Sequence, residues 1–317
     1  MGQATSRIMC IGGAAVDRKY RALAPVRPGT SNPVTSERSF GGVARNVAEN
    51  IARLGAPVSL VTILGDDENG RALLEDLGRL QIETGYVTIL GGHVTAEYVA
   101  VLQPDGDLAV GLANMAIFDS LTPSLLREAW PDLSSAWIFA DCNMPSETLH
   151  ELIDLARRQS VMLALDGVST SKVMRLPQDL AGVGVLFLNL DEAHALLGQS
   201  SPSPEAAAEA LLARGTQRVV LTLGDRGLIA ADRSGSARVG AIEAQVVDAT
   251  GAGDALIAAT LVAMLDGRSL AEATRLGVAA ATLTIETTAS VRPDLSMLLL
   301  ETTLSRRAQH PIEREPS

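Results

Sequence analysis

The sequence predicts an α/β protein: a mostly parallel sheet with helices on both faces, and a small second sheet at one end. Three observations carry this. Strand-length and helix-length apolar runs alternate along most of the 317 residues, the pattern of parallel strands joined by crossover helices. Glu97–Gln103 and Leu108–Leu112 flank the Pro-Asp-Gly-Asp run from Pro104 to Asp107, which signals a hairpin rather than a strand-to-helix turn. Lys19–Phe40 is long, proline-bearing and non-helical, so it and the hairpin read as strands of the second sheet.

The elements follow in order. Arg7–Gly12 is a first strand. Gly42–Leu54 is a helix, because Val43, Val47, Ile51 and Leu54 recur at helical spacing and Gly55 ends it. Val58–Leu64 is a strand and Glu68–Leu80 a helix. Trp137–Cys142, Val161–Asp166, Val185–Asn189 and Val219–Leu223 are buried strands, and Leu228–Ala231 is another. Ser146–Arg158, Leu190–Leu197 and Glu205–Arg214 supply helices between or after them, and Ala255–Leu265 is a buried helix. There is no internal repeat, and Gln309–Ser317 reads as a frayed tail.

Composition narrows the function. A hydrophobic content of 47% over 317 residues can bury one large domain spanning 1–317. The formal charge, 26 − 37 = −11, argues against nucleic acid or an anionic membrane as main partner. Only Lys19 and Lys172 are lysines, so a phosphate ligand would depend on backbone amides, arginine and a divalent metal. Cys10 and Cys142 fall in strand-like runs and read as reduced, buried thiols. The first apolar run is only strand-length, and no segment reaches the ~18 apolar residues of a membrane span. The expectation is a cytoplasmic protein.

The most informative segment runs from Asp248 to Asp254, Asp-Ala-Thr-Gly-Ala-Gly-Asp. Gly251 and Gly253 remove Cβ atoms that would hold a ligand away from the backbone. The apolar helix that follows places the loop at a helix N-terminus, where free amides and the dipole favour an anion. Asp254 then sits in the first turn. A carboxylate beside an anion is wrong for simple binding, but it suits a base that takes a proton from a hydroxyl attacking a bound phosphate. An Asp-capped helix after a glycine-rich turn is the plainer alternative.

Four separated motifs in this order resemble the ribokinase-like (PfkB) carbohydrate kinases over nearly the whole chain. They are Cys10–Gly13 followed by Asp17, Gly41-Gly42 followed by Asn46, the Asn-Leu-Asp-Glu run from Asn189 to Glu192, and Asp248–Asp254. Within that family, Ser31–Pro33, Phe40–Gly55, Thr95–Leu102, Asp105–Asp107 and Asp141–Asn143 are similar to the branch acting on pseudouridine. The resemblance implies a three-layer α/β/α ribokinase-like domain. It also implies a small β-sheet lid drawn from about residues 17–40 and 94–115, through which a homodimer forms. The activity implied is ATP-dependent phosphorylation of the 5′-hydroxyl of pseudouridine. Another sugar or nucleoside kinase of the family would share every motif, and a non-catalytic nucleotide-binding regulator is a rival of another class.

The resemblance also assigns roles. Asp17 and Asn46 would hold sugar hydroxyls, with Gly41 and Gly42 permitting close approach and Asn143 assisting. Taken alone, Asp17 has a solvent-exposed turn residue as its alternative, and Asn46 reads first as part of a solvated helix face. Asp254 would be the base, with Gly251, Ala252 and Gly253 forming the anion hole. Asn189, Thr222, Gly224 and Gly227 would hold ATP, and Glu192 would place Mg²⁺ through water. Asp248 and Ser290 fall where the family carries a K⁺ site. Ala249 stands where the family often has threonine, and Val278 where relatives often carry Asn or His near the adenine. Ser31, Asn32 and Asn114 are candidates for reading the base. Gly12-Gly13 lacks the full dinucleotide-binding glycine pattern, and no Gly-Lys-Ser/Thr run suggests a P-loop.

Overall fold

A computed structural model describes residues 7–133 and 137–308; Gln309–Ser317 lie outside the described residues. In chain order the elements begin with β1 (Ile8–Ile11), β2 (Ala15–Ala22), β3 (Val34–Gly41), α1 (Val43–Arg53), β4 (Val58–Gly65), α2 (Glu68–Arg79) and β5 (Val87–Leu90). Next come β6 (Glu97–Leu102), β7 (Leu108–Asn114), α3 (Pro123–Leu133), β8 (Trp137–Asp141), α4 (Ser146–Gln159), β9 (Leu163–Asp166) and β10 (Val185–Asn189). The chain continues through α5 (Leu190–Leu197), α6 (Pro204–Ala213), β11 (Arg218–Thr222), β12 (Leu228–Asp232), β13 (Gly235–Val239), α7 (Ala252–Leu265), α8 (Leu270–Ile285) and α9 (Met297–Ala308).

The large sheet has the order β13-β12-β11-β10-β9-β8-β1-β4-β5. Pairing is parallel from β5 across to β11, and only β12 and β13, at one edge, are antiparallel. Strand β1 shows why its sequence is a continuous apolar run. Ile8 and Cys10 enter one core, Met9 and Ile11 the other, and all four are buried, as a strand covered on both faces requires. Helices α1, α2, α7, α8 and α9 cover the first face, and α3 to α6 the second. Cys10 and Cys142 are free and buried, and burial pushes both thiols up.

Helix α7 is buried along its length because α1 and α8 pack on it. That packing is close. A Cβ on Gly277 of α8 would stand 2.4 Å from Thr260 Oγ1 and 2.8 Å from the Leu256 carbonyl. Helix α8 was not read from the sequence, although Ser269 and Glu272 form a capping box at its start. Strands β5 and β13 and helices α3 and α9 were also missed.

The small sheet has the order β3-β2-β6-β7. β2 pairs antiparallel with β3 and parallel with β6, and β6 pairs antiparallel with β7 through an irregularity at Val101/Leu102. Asp17 and Lys19 share one face, and the salt bridge from Lys19 to Asp248 (3.0 Å) turns it toward the main domain. Cross-strand register puts Tyr20, Val99, Val101, Val110 and Leu112 on the other face, where Val110 and Leu112 are exposed. Among the described residues, no helix is long and apolar enough to cross a membrane.

Candidate active site

Strand β1 lies between β4 and β8, so the strand order reverses there. The carboxyl ends of strands at such a switch point form a natural ligand crevice. Asp141, fully buried at the end of β8, organises it. Its carboxylate accepts hydrogen bonds from the amides of Gly13, Ala44 and Asn143, each at 2.9 Å, joining the β1–β2 turn, the start of α1 and the loop after β8. Burial pushes its pKa up against these bonds. Gly12, at φ 141°, leaves room for it, since a Cβ there would lie 2.3 Å from Asp141 Oδ1. Asn143 is 8% exposed; its side-chain oxygen accepts from Lys172 Nζ. Arg175 Nη1 donates to the carbonyls of Asn143 (2.7 Å) and Met144 (3.0 Å).

Asp17 of β2 and Gly41 of β3 come together. A Cβ on Gly41 would stand 2.1 Å from Asp17 Oδ2. Burial pushes the Asp17 pKa up to about 6, and the Lys19 and Arg45 charges pull it down. Gly42 caps α1 at φ 93°, a conformation that favours glycine, and a Cβ there would strike the Gly13 carbonyl at 2.5 Å. One turn on, Asn46 is buried, and its Nδ2 donates to Asp254 Oδ2 at 2.8 Å.

Asp254 stands in the first turn of α7. The N-cap, Gly251, is left-handed at φ 81°, and a Cβ on it would lie 1.8 Å from the Ser290 carbonyl. The first helical bond of α7 runs from the Ala255 amide to the Gly251 carbonyl at 3.0 Å. The amides of Ala252, Gly253 and Asp254 therefore precede the helical ladder, and Ala252 makes only a long 3.4 Å contact to the Ala249 carbonyl. Burial raises the Asp254 pKa to about 7; the Asn46 hydrogen bond and the Arg45 charge oppose the rise, while Asp141 and Asp17 add to it.

Two cavities meet at this helix start. The larger, about 680 Å³, is mostly apolar and includes Thr222, Gly224, Gly227, Ala252, Gly253 and Val278 in its wall. The smaller, about 200 Å³, includes Asp166, Asn189, Glu192, Thr222, Gly253 and Asp254. Gly253 and Thr222 line both, and a Cβ on Gly253 would meet nothing within 4 Å. Gly224 and Gly227 have left-handed φ values of 63° and 84°, and a Cβ on Gly227 would lie 2.0 Å from the Val239 carbonyl. Asn189 and Glu192 form a reciprocal capping box: Asn189 Oδ1 accepts from the Glu192 amide (2.8 Å), and Glu192 Oε2 from the Asn189 amide (3.0 Å). Burial raises the Glu192 pKa.

Asp248 spends both carboxylate oxygens, on Lys19 Nζ at 3.0 Å and on the Thr250 amide at 2.9 Å. Burial alone would raise its pKa, but these bonds outweigh it and hold it low. Asn32 is spent too: its side chain bonds Arg27 and the Thr30 carbonyl, so it closes its own turn rather than facing the site as a free base-reading group. Asn114 ends β7 opposite Glu97.

The sequence reading missed Arg45, Lys172 and Asp166 as members of the site, and gave Asp141 no role. For Asp166 the signal was present, an acid ending an apolar strand. It lines the smaller cavity beside Asp254, and burial followed by the Asp254, Glu192 and Asp141 charges pushes its pKa well up. Its Oδ2 accepts from the amide of Val168, held at φ 65°, a rare conformation for a β-branched residue.

An α/β domain with a carboxylate at a glycine-capped helix start, between two cavities, is the equipment of a phosphotransferase acting on an alcohol. The chain belongs to the pfkB family of carbohydrate kinases, whose model matches residues 5–295. It is similar to a pseudouridine kinase of Escherichia coli (strain K12), 29% identical over 295 residues, covering 92% of this chain and 94% of that one. It is also similar to a guanosine-inosine kinase of Exiguobacterium acetylicum, 30% identical over 291 residues, covering 89% and 95%. A solved carbohydrate kinase from Agrobacterium tumefaciens superposes with a TM-score of 0.84 at 30% identity, covering 95% of this chain and 97% of that one. The fold is ribokinase-like, and the protein is a kinase of the sugar and nucleoside class.

Proposed function

We propose that the protein transfers the γ-phosphoryl group of ATP to the 5′-hydroxyl of pseudouridine. The observation that carries the chemistry is Asp254 at the amide-bearing start of α7, with Gly253 shared by the two cavities. The larger cavity, walled by Thr222, Gly224 and Gly227, suits the nucleotide, with Asn189 beside its phosphates. Asp17 and Asn46 hold the ribose, Gly41 and Gly42 let it approach, and Asn143 assists. The hydroxyl oxygen attacks the γ-phosphorus, its proton passes to Asp254, and the bond to the bridging oxygen breaks to release ADP. Amides at Gly251, Ala252 and Gly253 stabilise charge on the group in flight, so most of the rate comes from positioning and electrostatics.

Glu192 and Asp166, two carboxylates facing the smaller cavity, fit a largely hydrated Mg²⁺, which needs one or two protein carboxylates beside substrate phosphates. Bound there, Mg²⁺ would neutralise phosphate charge. K⁺ fits less well, because both oxygens of Asp248 are already engaged. The small sheet serves as lid. Its outer face, with exposed Val110 and Leu112, supports a homodimer formed through it; light scattering on Leu112→Glu tests this, and an unchanged mass would dismiss it.

The substrate reading is supported by the similarity to a pseudouridine kinase and by the resemblance of the runs around Gly41 and Asp141 to that branch of the family. Pseudouridine leaves N1–H free as a donor where uridine has none, and a buried acceptor left unpaired is costly. Sites built this way discriminate by ~10⁴–10⁵-fold. The test is ATP consumption with pseudouridine, uridine, adenosine, guanosine, ribose and fructose. Pseudouridine should exceed uridine in kcat/KM by at least ~10²-fold. Equal use of the two, or better use of guanosine or ribose, overturns the substrate while leaving the kinase intact.

A further inference from the structure

We propose that Arg45 is a positioning residue that locks the Asn46 side-chain amide, so that Asn46 holds Asp254 Oδ2 and leaves Oδ1 as the oxygen that takes the substrate proton. The proposal rests on Asp254 being the general base. A guanidinium offers donors and no acceptor. Arg45 Nη1 lies 3.2 Å from the Asn46 side-chain oxygen, so that end of the amide is fixed as the oxygen. The NH₂ end must then face Asp254, and it does, at 2.8 Å from Oδ2. Among the described residues no hydrogen bond reaches Asp254 Oδ1.

Arg45 is itself immobilised. It is 4% exposed, and its Nη2 pairs with Glu49 Oε2 at 2.6 Å and Asp76 Oδ2 at 2.8 Å. Its Nη1 also donates to the Phe40 carbonyl at 3.2 Å, and the guanidinium lies over the Phe40 ring. So the chain of contacts runs from α2 through Arg45 and Asn46 to the base. Without Arg45 the Asn46 amide is free to turn its oxygen toward Asp254. That orientation favours a protonated carboxyl and would idle the base. Around Asp254, Asp17 of β2, Asp141 of β8 and Asp166 of β9 all favour the proton. Glu192 of α5 shares its cavity, and Arg45 of α1 is the cation that opposes them.

The experiment is the pH dependence of kcat for Arg45→Met and Arg45→Lys. With Arg45→Met the acid limb should move up by about half a pH unit or more, while KM for ATP stays put. Arg45→Lys keeps the charge and should return the limb most of the way. A loss of packing alone lowers kcat at every pH without moving the limb, and in a folded Arg45→Met that result overturns the proposal. Glu49 keeps Arg53 as a partner; should stranding Asp76 prevent folding, Arg45→Met combined with Asp76→Asn leaves no carboxylate unpaired.

A measurement on the unaltered protein tests the Asn46–Asp254 contact on which the proposal stands. With ¹⁵N-labelled asparagine, the Asn46 side-chain NH₂ signal should shift with the titration of Asp254. An Asn46 signal indifferent to pH overturns the proposal. Asp254→Asn separates the two layers: near-normal kcat there removes the base assignment itself, whereas a confirmed base with an unmoved limb removes only the role of Arg45.

Discussion

At the scale of the residue, Asp254 carries opposing demands. Asparagine keeps its shape but cannot take a proton, so Asp254→Asn should bind ATP normally and lose ~10²–10⁴-fold in kcat; a variant keeping more than about a tenth of wild-type kcat would sink the base. The same substitution should stabilise the fold. With its pKa raised from 3.8 to about 7, folded Asp254 binds a proton that the unfolded chain does not hold between those values. Stability therefore falls as pH rises from 4 to 7 and levels off above. Asp254→Asn should gain about 1 kcal/mol or more at pH 8 and nothing near pH 4, read by denaturant unfolding. Asp254 and the glycines before it were legible because one short run, Asp248–Asp254, carries them. Asp17 was singled out only through the family resemblance, because its surroundings, Gly41 and Arg45, lie on other elements. Arg45 and Asp141 were not legible. Their partners lie 31 and up to 128 positions away, and nothing local distinguishes a bridging charge from a solvated one.

At the scale of the element, the small sheet brings Asp17 on β2 against Gly41 on β3, the pair proposed above to meet the sugar. A methyl at Gly41 would need the space of Asp17 Oδ2, 2.1 Å away, and the flexible carboxylate would swing aside. Gly41→Ala should thus raise KM for the nucleoside about tenfold, on the order of one lost charged hydrogen bond, with KM for ATP unchanged. Equal rises in both would show that the glycine serves only the fold. Elements with strong local signals were read to within a residue or two: α1 from its helical spacing, β10 and α5 at their observed bounds. Helix α8 was missed because its apolar residues face α7 and neighbouring core on several sides, which blurs the single stripe that periodicity detects. Edge strands β5 and β13 bury little and so left little pattern.

At the scale of the whole molecule, the parallel main sheet was foreseeable because strands buried on both faces announce themselves. The way the small sheet meets it was not, since that depends on Lys19 crossing to Asp248, 229 positions away. This contact ties β2 to the loop that leads into α7. The Asp67 carboxylate fixes the entry to β6 through the Thr95 amide (2.8 Å) and hydroxyl (2.7 Å). The small sheet is thus held at its roots while its far strand, β7, stays largely exposed. Water reaching the γ-phosphate would compete with the sugar hydroxyl, so a kinase of this build gains by closing the sheet over its acceptor. Closure would shield the backbone amides of Ala15–Gly41 and Glu97–Asn114. Hydrogen exchange in both segments should slow at saturating nucleoside, while α6, packed on β11 and β12, exchanges as before. Unchanged exchange in the two segments would mean that the small sheet is a fixed wall rather than a lid.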